Sequence, residues 1–486
     1  MKKYFVLLAL IFSSAALFSQ TSINNLSDWN AFVSRIENNQ SHITDNYTLN
    51  DDIGSSGSSI LTTPVPSMIN GTFRGHLDGN MHKITVNITS SDVNVGLFSQ
   101  INYGSIDSLI IDGSITATSA NANVGGFAGS SSYSGFNHCT NLAEIIGGTS
   151  SIAGGIVGSS TGYTVFENCV NGGTITGGYA VAGIVSRYFC GVLFYCKNSG
   201  IIQSASGSNP VYMGGIVGYG DSWSGGMTIG HSINIGRILS STSQYAGGIV
   251  AYLTGVDNAV LVVHSSLNAG IVDGGTNSVG GIVGYSFSPG GISTIHFCLN
   301  TNWISRGLSS YYGSIVGYIY GIVEGCYYDN QMCILGGIGS GGSGATGLPT
   351  SGMLGASLGY PFNSSIVWRN HSQLYPVPTM DNRVDAHPIE LLAMAPIYLR
   401  NNEKVNDIST SPFTISNGDA LYLQNPSSNI YGFRFQWRSF NNFISISTTT
   451  DAVSIVGTGG ILRQDTLEVK LFSEPLYEKV IPIRVR

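Results

Sequence analysis

His264, His296 and Glu324 hold one position in three successive copies of a repeated pattern, VHSSLNAGIV, IHFCLNTNWI and VEGCYYDNQM. Each stands two residues before a small Cys or Ser. On neighbouring strands ~4.8 Å apart, two imidazoles and a carboxylate could share a divalent ion or form a pH-sensitive strip. The same residues also suit a solvated outer face with no ligand. Tyr219, Tyr252, Tyr285 and Tyr318 form a second column, each three residues after the isoleucine of a recurring glycine pair. Outward tyrosines one strand apart make a flat amphipathic strip for sugar rings or a partner protein. An aromatic ladder that only stabilises the stack would use the same residues.

Catalytic chemistry finds less support. Enzymes built on stacked strands need carboxylates, or carboxylates with Lys or Arg, clustered across neighbouring units. Between residues 100 and 345 the acids stand mostly singly. Asp107, Asp257 and Glu324 share a similar loop position but fall in units one, six and eight. No catalytic residues are assigned. No CxxC or Cys/His tetrad has zinc spacing, and nothing implies a cofactor.

These columns exist because the chain repeats. Aligned on the apolar residue after each glycine pair, Phe98, Phe127, Ile156, Ile184, Ile216, Ile249, Ile282 and Ile315 recur every 28 to 33 residues. The segments VGGFAGS, AGGIVGS, MGGIVGY and VGGIVGY share that core. Between them runs apolar-x-x-Cys/Ser-x-Asn-x-Gly-x-apolar, as in FENCVNGGTI at 166 and LFYCKNSGII at 193. Each unit offers three short apolar pieces separated by Gly, Asn and Ser, the pattern of strands and turns, with no helical period. Three short strands in about 30 residues form one coil of a parallel β-helix. The expected fold is all-β: a right-handed parallel β-helix of about eight coils, roughly 40 Å long.

Stacking also accounts for an odd count of seven cysteines. Cys139, Cys169 and Cys196 fall at one coil position in consecutive units, Cys298 and Cys326 in the last two, with Ser232 and Ser266 between. Free Cys serves there as a small buried side chain. Asn141, Asn171, Asn198, Asn234, Asn268 and Asn300 occupy six consecutive coils, where stacked amides would pass hydrogen bonds along the rod. Two residues on, Gly173, Gly200, Gly236 and Gly270 are expected to supply turns of positive φ.

Composition sets the outer bounds. Glycine makes up 65 residues and charged side chains only 10%, while 42% apolar content is enough to bury a core. A net charge of −7 offers no basic patch, which argues against nucleic acid as partner. MKKYFVLLALIFSSAALFSQ, residues 1 to 20, has the charged start, apolar run and small residues of a secretory leader. No segment has the length and apolar character of a transmembrane span. Export to the extracellular side or the outer-membrane surface is therefore expected, without lipid attachment, since no Cys lies near the cleavage point. A cap of helix plus strand is expected over 21–65, with Ser27 capping a helix through about Asn38. The rod follows over 66–345, where GGIGSGGSGATG reads as a flexible loop, then a closing segment over 346–380. Alternating strands over 385–486 suggest a small Ig-like β-sandwich.

The vGGIVGy core with its following Cys-x-Asn-x-Gly turn resembles the GLUG motif of bacterial secreted and surface proteins. FRGHLDGNMHKI at 73 to 84 is similar to the lead-in that precedes such repeats, and PFNSSIVWRNHSQLYPVP at 361 to 378 to their closing segment. The resemblance covers roughly residues 26 to 380. It implies a surface or adhesin-like protein of the kind found in Bacteroidetes-type bacteria. The family also flanks IgA-cleaving metallopeptidases, whose zinc helix needs HExxH, and that motif does not occur in this chain. The function expected is a non-enzymatic scaffold contacting glycans or host or partner proteins, with a polysaccharide lyase or hydrolase on the same rod as the alternative.

Overall fold

The computed structural model describes residues 20–38 and 45–379, apart from 209–210, 223–224, 240–241, 303, 306–308, 331, 334, 355–356, 365 and 371–374. Beyond 379 it describes only the strands between 396 and 485. Residues 1–19 of the expected leader lie outside the described residues.

Stacked parallel strands form a β-solenoid of about ten turns. Its three sheets contain 19, 16 and 8 strands. The eight-stranded sheet runs from Asn94–Val95 to Tyr311–Gly313 and contains the strands that enter each glycine pair. Further turns lie at both ends. Gln20–Ile23, Asn46–Leu49 and His76–Asp78 already stack in parallel at the start. Ile338–Ser340 and Ala345–Leu348 stack on the last glycine-pair unit. GGIGSGGSGATG is therefore the final coil and not a flexible loop. Its glycines let that coil sit close: Gly341 and Gly344 have φ of 91° and 112°, and a Cβ on either would run into the carbonyls of Ile319 and Val323.

Inward side chains fill the bore with Ile, Val, Leu and Phe, including Phe136 and Phe166 stacked 5.2 Å apart. Helix α1 (Leu26–Glu37) adds Trp29, Phe32 and Ile36 to this core. Phe32 lies 4.7 Å from the Tyr47 ring and 6.0 Å from Phe73. The cap residue is Asn25, not Ser27. Its side-chain oxygen accepts from the Asp28 amide at 3.1 Å, which satisfies one of the orphan donors of the first turn.

The asparagines form one continuous hydrogen-bonded seam. Nδ2 of Asn141, Asn171, Asn198, Asn234 and Asn268 each donates to Oδ1 of the next asparagine, at 2.8 to 2.9 Å. The other Nδ2 proton goes to the carbonyl two residues on, as from Asn198 to Gly200 at 3.2 Å. All six residues are fully buried. Glycine is required on both sides of the seam by space. A Cβ on Gly155 or Gly183 would come 2.6 Å from Oδ1 of Asn171 or Asn198. One on Gly270 would come 2.6 Å from Nδ2 of Asn234. Gly173, Gly200, Gly236 and Gly270 do not have the positive φ expected of them. That conformation belongs to the residue before the Cys/Ser position: Ser108, His138, Asn168, Tyr195, His231, Ser265, Phe297 and Gly325, at φ of 48° to 58°.

The Cys/Ser column is buried and its cysteines are free. Its side chains donate back to carbonyls at that corner, as from Cys169 to Phe136 at 3.4 Å and from Ser266 to His264 at 2.8 Å. Burial pushes the thiols of Cys139, Cys196 and Cys298 up, so they stay protonated.

The closing segment packs along the side of the rod. Met353, Leu358, Phe362, Trp368, Tyr375 and Val377 form a second core with Ile233, Ile235, Leu267, Ala269 and Leu299. Tyr375 Oη donates to the buried Asp329 carboxylate at 2.6 Å. C-terminal to this, strands between Pro396 and Val485 pair in antiparallel sheets of five and three, the strand content of a β-sandwich.

Candidate functional site

Most coils contribute two strands, separated by a bend, to the 19-stranded sheet, while Val157–Glu167 and Val185–Phe194 run through as single strands. In the last four glycine-pair coils the first strands are Val217–Ser222, Val250–Gly255, Val283–Phe287 and Val316–Tyr320. The second are Met227–Gly230, Val260–His264, Ile292–His296 and Ile322–Glu324. Alternation along each strand sends every second side chain outward.

Tyr219, Tyr252, Tyr285 and Tyr318 are register partners on consecutive coils. Their rings stack with centroids 5.6, 5.0 and 4.6 Å apart and planes within 27°, 8° and 12° of parallel. Parallel rings this close cannot lie side by side in one plane, so each covers part of the next one's face. The strip therefore presents ring edges and a row of hydroxyls outward, where the sequence suggested flat faces. A second column stands beside it. Tyr212, Tyr245 and Tyr311 share the register position two residues before the glycine pair, with Ser278 on the coil between. Its rings lie edge-on to the first column, Tyr245 at 4.9 Å from Tyr252 and Tyr311 at 5.2 Å from Tyr318. Aligning VYMGG, QYAGG and YYGS would have disclosed this column.

Burial raises five of the phenols. Tyr252 is pushed up to about 12, and Tyr212, Tyr219, Tyr245 and Tyr285 are also raised, so each keeps its proton. Tyr219 Oη donates to Asp221 at 3.3 Å, and Asn277 Nδ2 donates to Tyr245 Oη at 3.0 Å. Arg187 closes the lower end, its guanidinium 5.9 Å from the Tyr219 ring centre and 4.6 Å from that of Phe189.

The face continues across the sheet with little charge. Asp221, Thr254, Phe287 and Tyr320 form the next column. Beyond the bend, Val260 pairs with Ile292, and Thr294 with Ile322. Tyr320, Ile292 and Ile322 are 56%, 56% and 55% exposed, more than isolated surface hydrophobics require.

His264, His296 and Glu324 do share one register column, but they do not form a metal centre. The two imidazoles lie parallel, centroids 5.3 Å apart and planes 9° from parallel, so their in-plane lone pairs run in parallel planes and do not converge. Among the described residues no three Asp, Glu, His or Cys side chains are arranged to hold a metal ion. Nor is the column a freely solvated face. His231 packs edge-on to His264 at 5.2 Å and Phe194 covers it at 5.6 Å. Burial lowers His264 to about 3 and His231 to about 4, and lowers His296 as well.

Followed down the rod, the same column reaches Glu167, Asn137, Asp107 and Asp78 on consecutive coils. Asp107 accepts from Ser108 Oγ at 2.6 Å and from Asn137 Nδ2 at 3.1 Å, and lies 3.9 Å from Nδ1 of the buried His138. Asp78 and Asp107 are thus adjacent acids, a pairing hidden in the sequence because Asp78 precedes the first complete repeat. Asp257 belongs to the turn between the two strands and not to this column.

No family model, no curated protein and no solved structure matches the chain. No helix among the described residues is long and apolar enough to cross a membrane.

Proposed function

We propose that the chain is a secreted or cell-surface adhesin-like scaffold of the GLUG-repeat kind, which binds a glycan or a partner protein and catalyses no reaction. One observation carries this reading. The position of Tyr219 is held on successive lower coils by Arg187, Ser159, Ser130 and Gln100. That of Tyr212 is held by Ala180, Ile152, Asn123 and Asn94. A coil of this solenoid therefore does not require aromatic residues there, and their concentration on the last four glycine-pair coils is what favours a binding role. Export follows from the leader-like start and agrees with a binding role outside the cell.

The test is binding of the chain from Gln20 onward to glycan arrays and to surface-protein extracts, beside Tyr252→Ser/Tyr285→Ser. Loss of binding with unchanged melting supports the reading. Equal binding by the variant overturns it. A second reading, a glycan-active enzyme, draws on Asp78 and Asp107 beside His138, since adjacent coils place carboxylates ~5 Å apart. Turnover on a polysaccharide panel, abolished by Asp107→Asn, would establish it.

A further inference from the structure

We infer that the tyrosine double column binds a linear, uncharged polysaccharide lying along the rod axis, one sugar unit per coil. This rests on the binding reading above and names its ligand. Three observations lead to it. The outward columns are nearly free of charge, with Asp221 and Glu324 their charged members among the described residues of the last four glycine-pair coils. A face so composed gains nothing from acidic or basic polymers and would leave their charges desolvated and unpaired.

The pattern also repeats. Tyr219, Tyr252, Tyr285 and Tyr318 present the same group once per coil, a spacing of ~4.8 Å. An extended β-linked sugar chain advances by close to that length per unit, so each coil meets one unit; successive units are turned over, and the same hydroxyl returns to the column on every second coil. A globular protein surface has no such translational repeat.

The exposed chemistry matches as well. With ring faces largely covered by their neighbours, the strip offers aromatic edges and phenol hydroxyls that both donate and accept. Neutral sugars present alternating C–H and O–H groups along their edges. Tyr320, Ile292 and Ile322 continue an apolar shoulder beside this track, suited to the sugars' C–H faces.

The decisive measurement is calorimetric titration of the chain from Gln20 onward with cello- and chito-oligosaccharides from dimer to hexamer. Affinity is expected to rise with each unit up to the tetramer and then level off, because four coils carry the column. Tyr285→Phe/Tyr318→Phe keeps the stacked rings and removes two hydroxyls. It should weaken tetramer binding about tenfold with the melting temperature unchanged. Equal affinity for dimer and hexamer, or binding confined to charged polysaccharides, overturns the inference. Capture of a surface protein, lost in Tyr252→Ser/Tyr285→Ser while no neutral glycan binds, also overturns it but leaves the binding face standing.

Discussion

At the scale of single residues, the seam of asparagines is the most demanding feature of the fold. Replacing Asn198 by isoleucine strands the Nδ2 of Asn171, the Oδ1 of Asn234 and the Gly200 carbonyl in a dry interior. At about 1–3 kcal/mol for each group left unpaired, the loss should exceed about 3 kcal/mol in urea denaturation. Asn141→Ile should cost clearly less, because its Oδ1 already lacks a partner and Ile111 occupies the position below. The glycines give a parallel contrast. Gly215→Ala drives a Cβ into the Gly248 carbonyl and the Asn234 amide and should prevent folding. Gly172→Ala meets nothing closer than the Leu142 side chain at 3.3 Å and should fold. Ser265, at φ 48°, should gain up to about 1 kcal/mol on replacement by glycine. The columns of Cys and Asn are visible in the sequence because identity recurs at fixed spacing. The left-handed corner is not, because Ser, His, Asn, Tyr and Phe all occupy it and share only a backbone angle.

Among elements, the bent sheet sets two kinds of aromatic surface beside each other. The histidine side is a sensor of acid only through stability. His231 and His264 have an ordinary value of 6.5 and are lowered by burial to about 4 and about 3. The unfolded chain takes up these protons first, so folding is most favoured above pH 6.5 and weakens as pH falls from there towards 4 and then 3. Glu324, beside His296, acts in the opposite direction on that ring alone. Chemical denaturation across this range should show the decline, and His264→Phe should reduce it. The sequence displayed His264, His296 and Glu324 as equivalent, yet it could not display Phe194 and His231 folding over them. Ring orientation decides whether nitrogens converge, and spacing in the chain carries no information about orientation. The same limit applies to the tyrosines, whose register was legible and whose covered faces were not.

For the whole molecule, the closing segment fastens to the side of the rod over Ile233, Leu267 and Leu299. Trp368→Ala should cost about 3–5 kcal/mol and expose that apolar strip, measurable as increased binding of a hydrophobic dye before global unfolding. The seam has a further consequence at this scale. Every rung gives upward and receives from below, so any two rungs are interchangeable as neighbours. Excising the 34 residues that separate Asn234 from Asn268 brings like to like, and the remaining seam closes, with one coil fewer in the strip that the closing segment covers. Length is therefore a quantity that the chain can change in whole steps, one coil at a time. A lineage that duplicates or drops such a unit lengthens or shortens its reach without redesigning its seam.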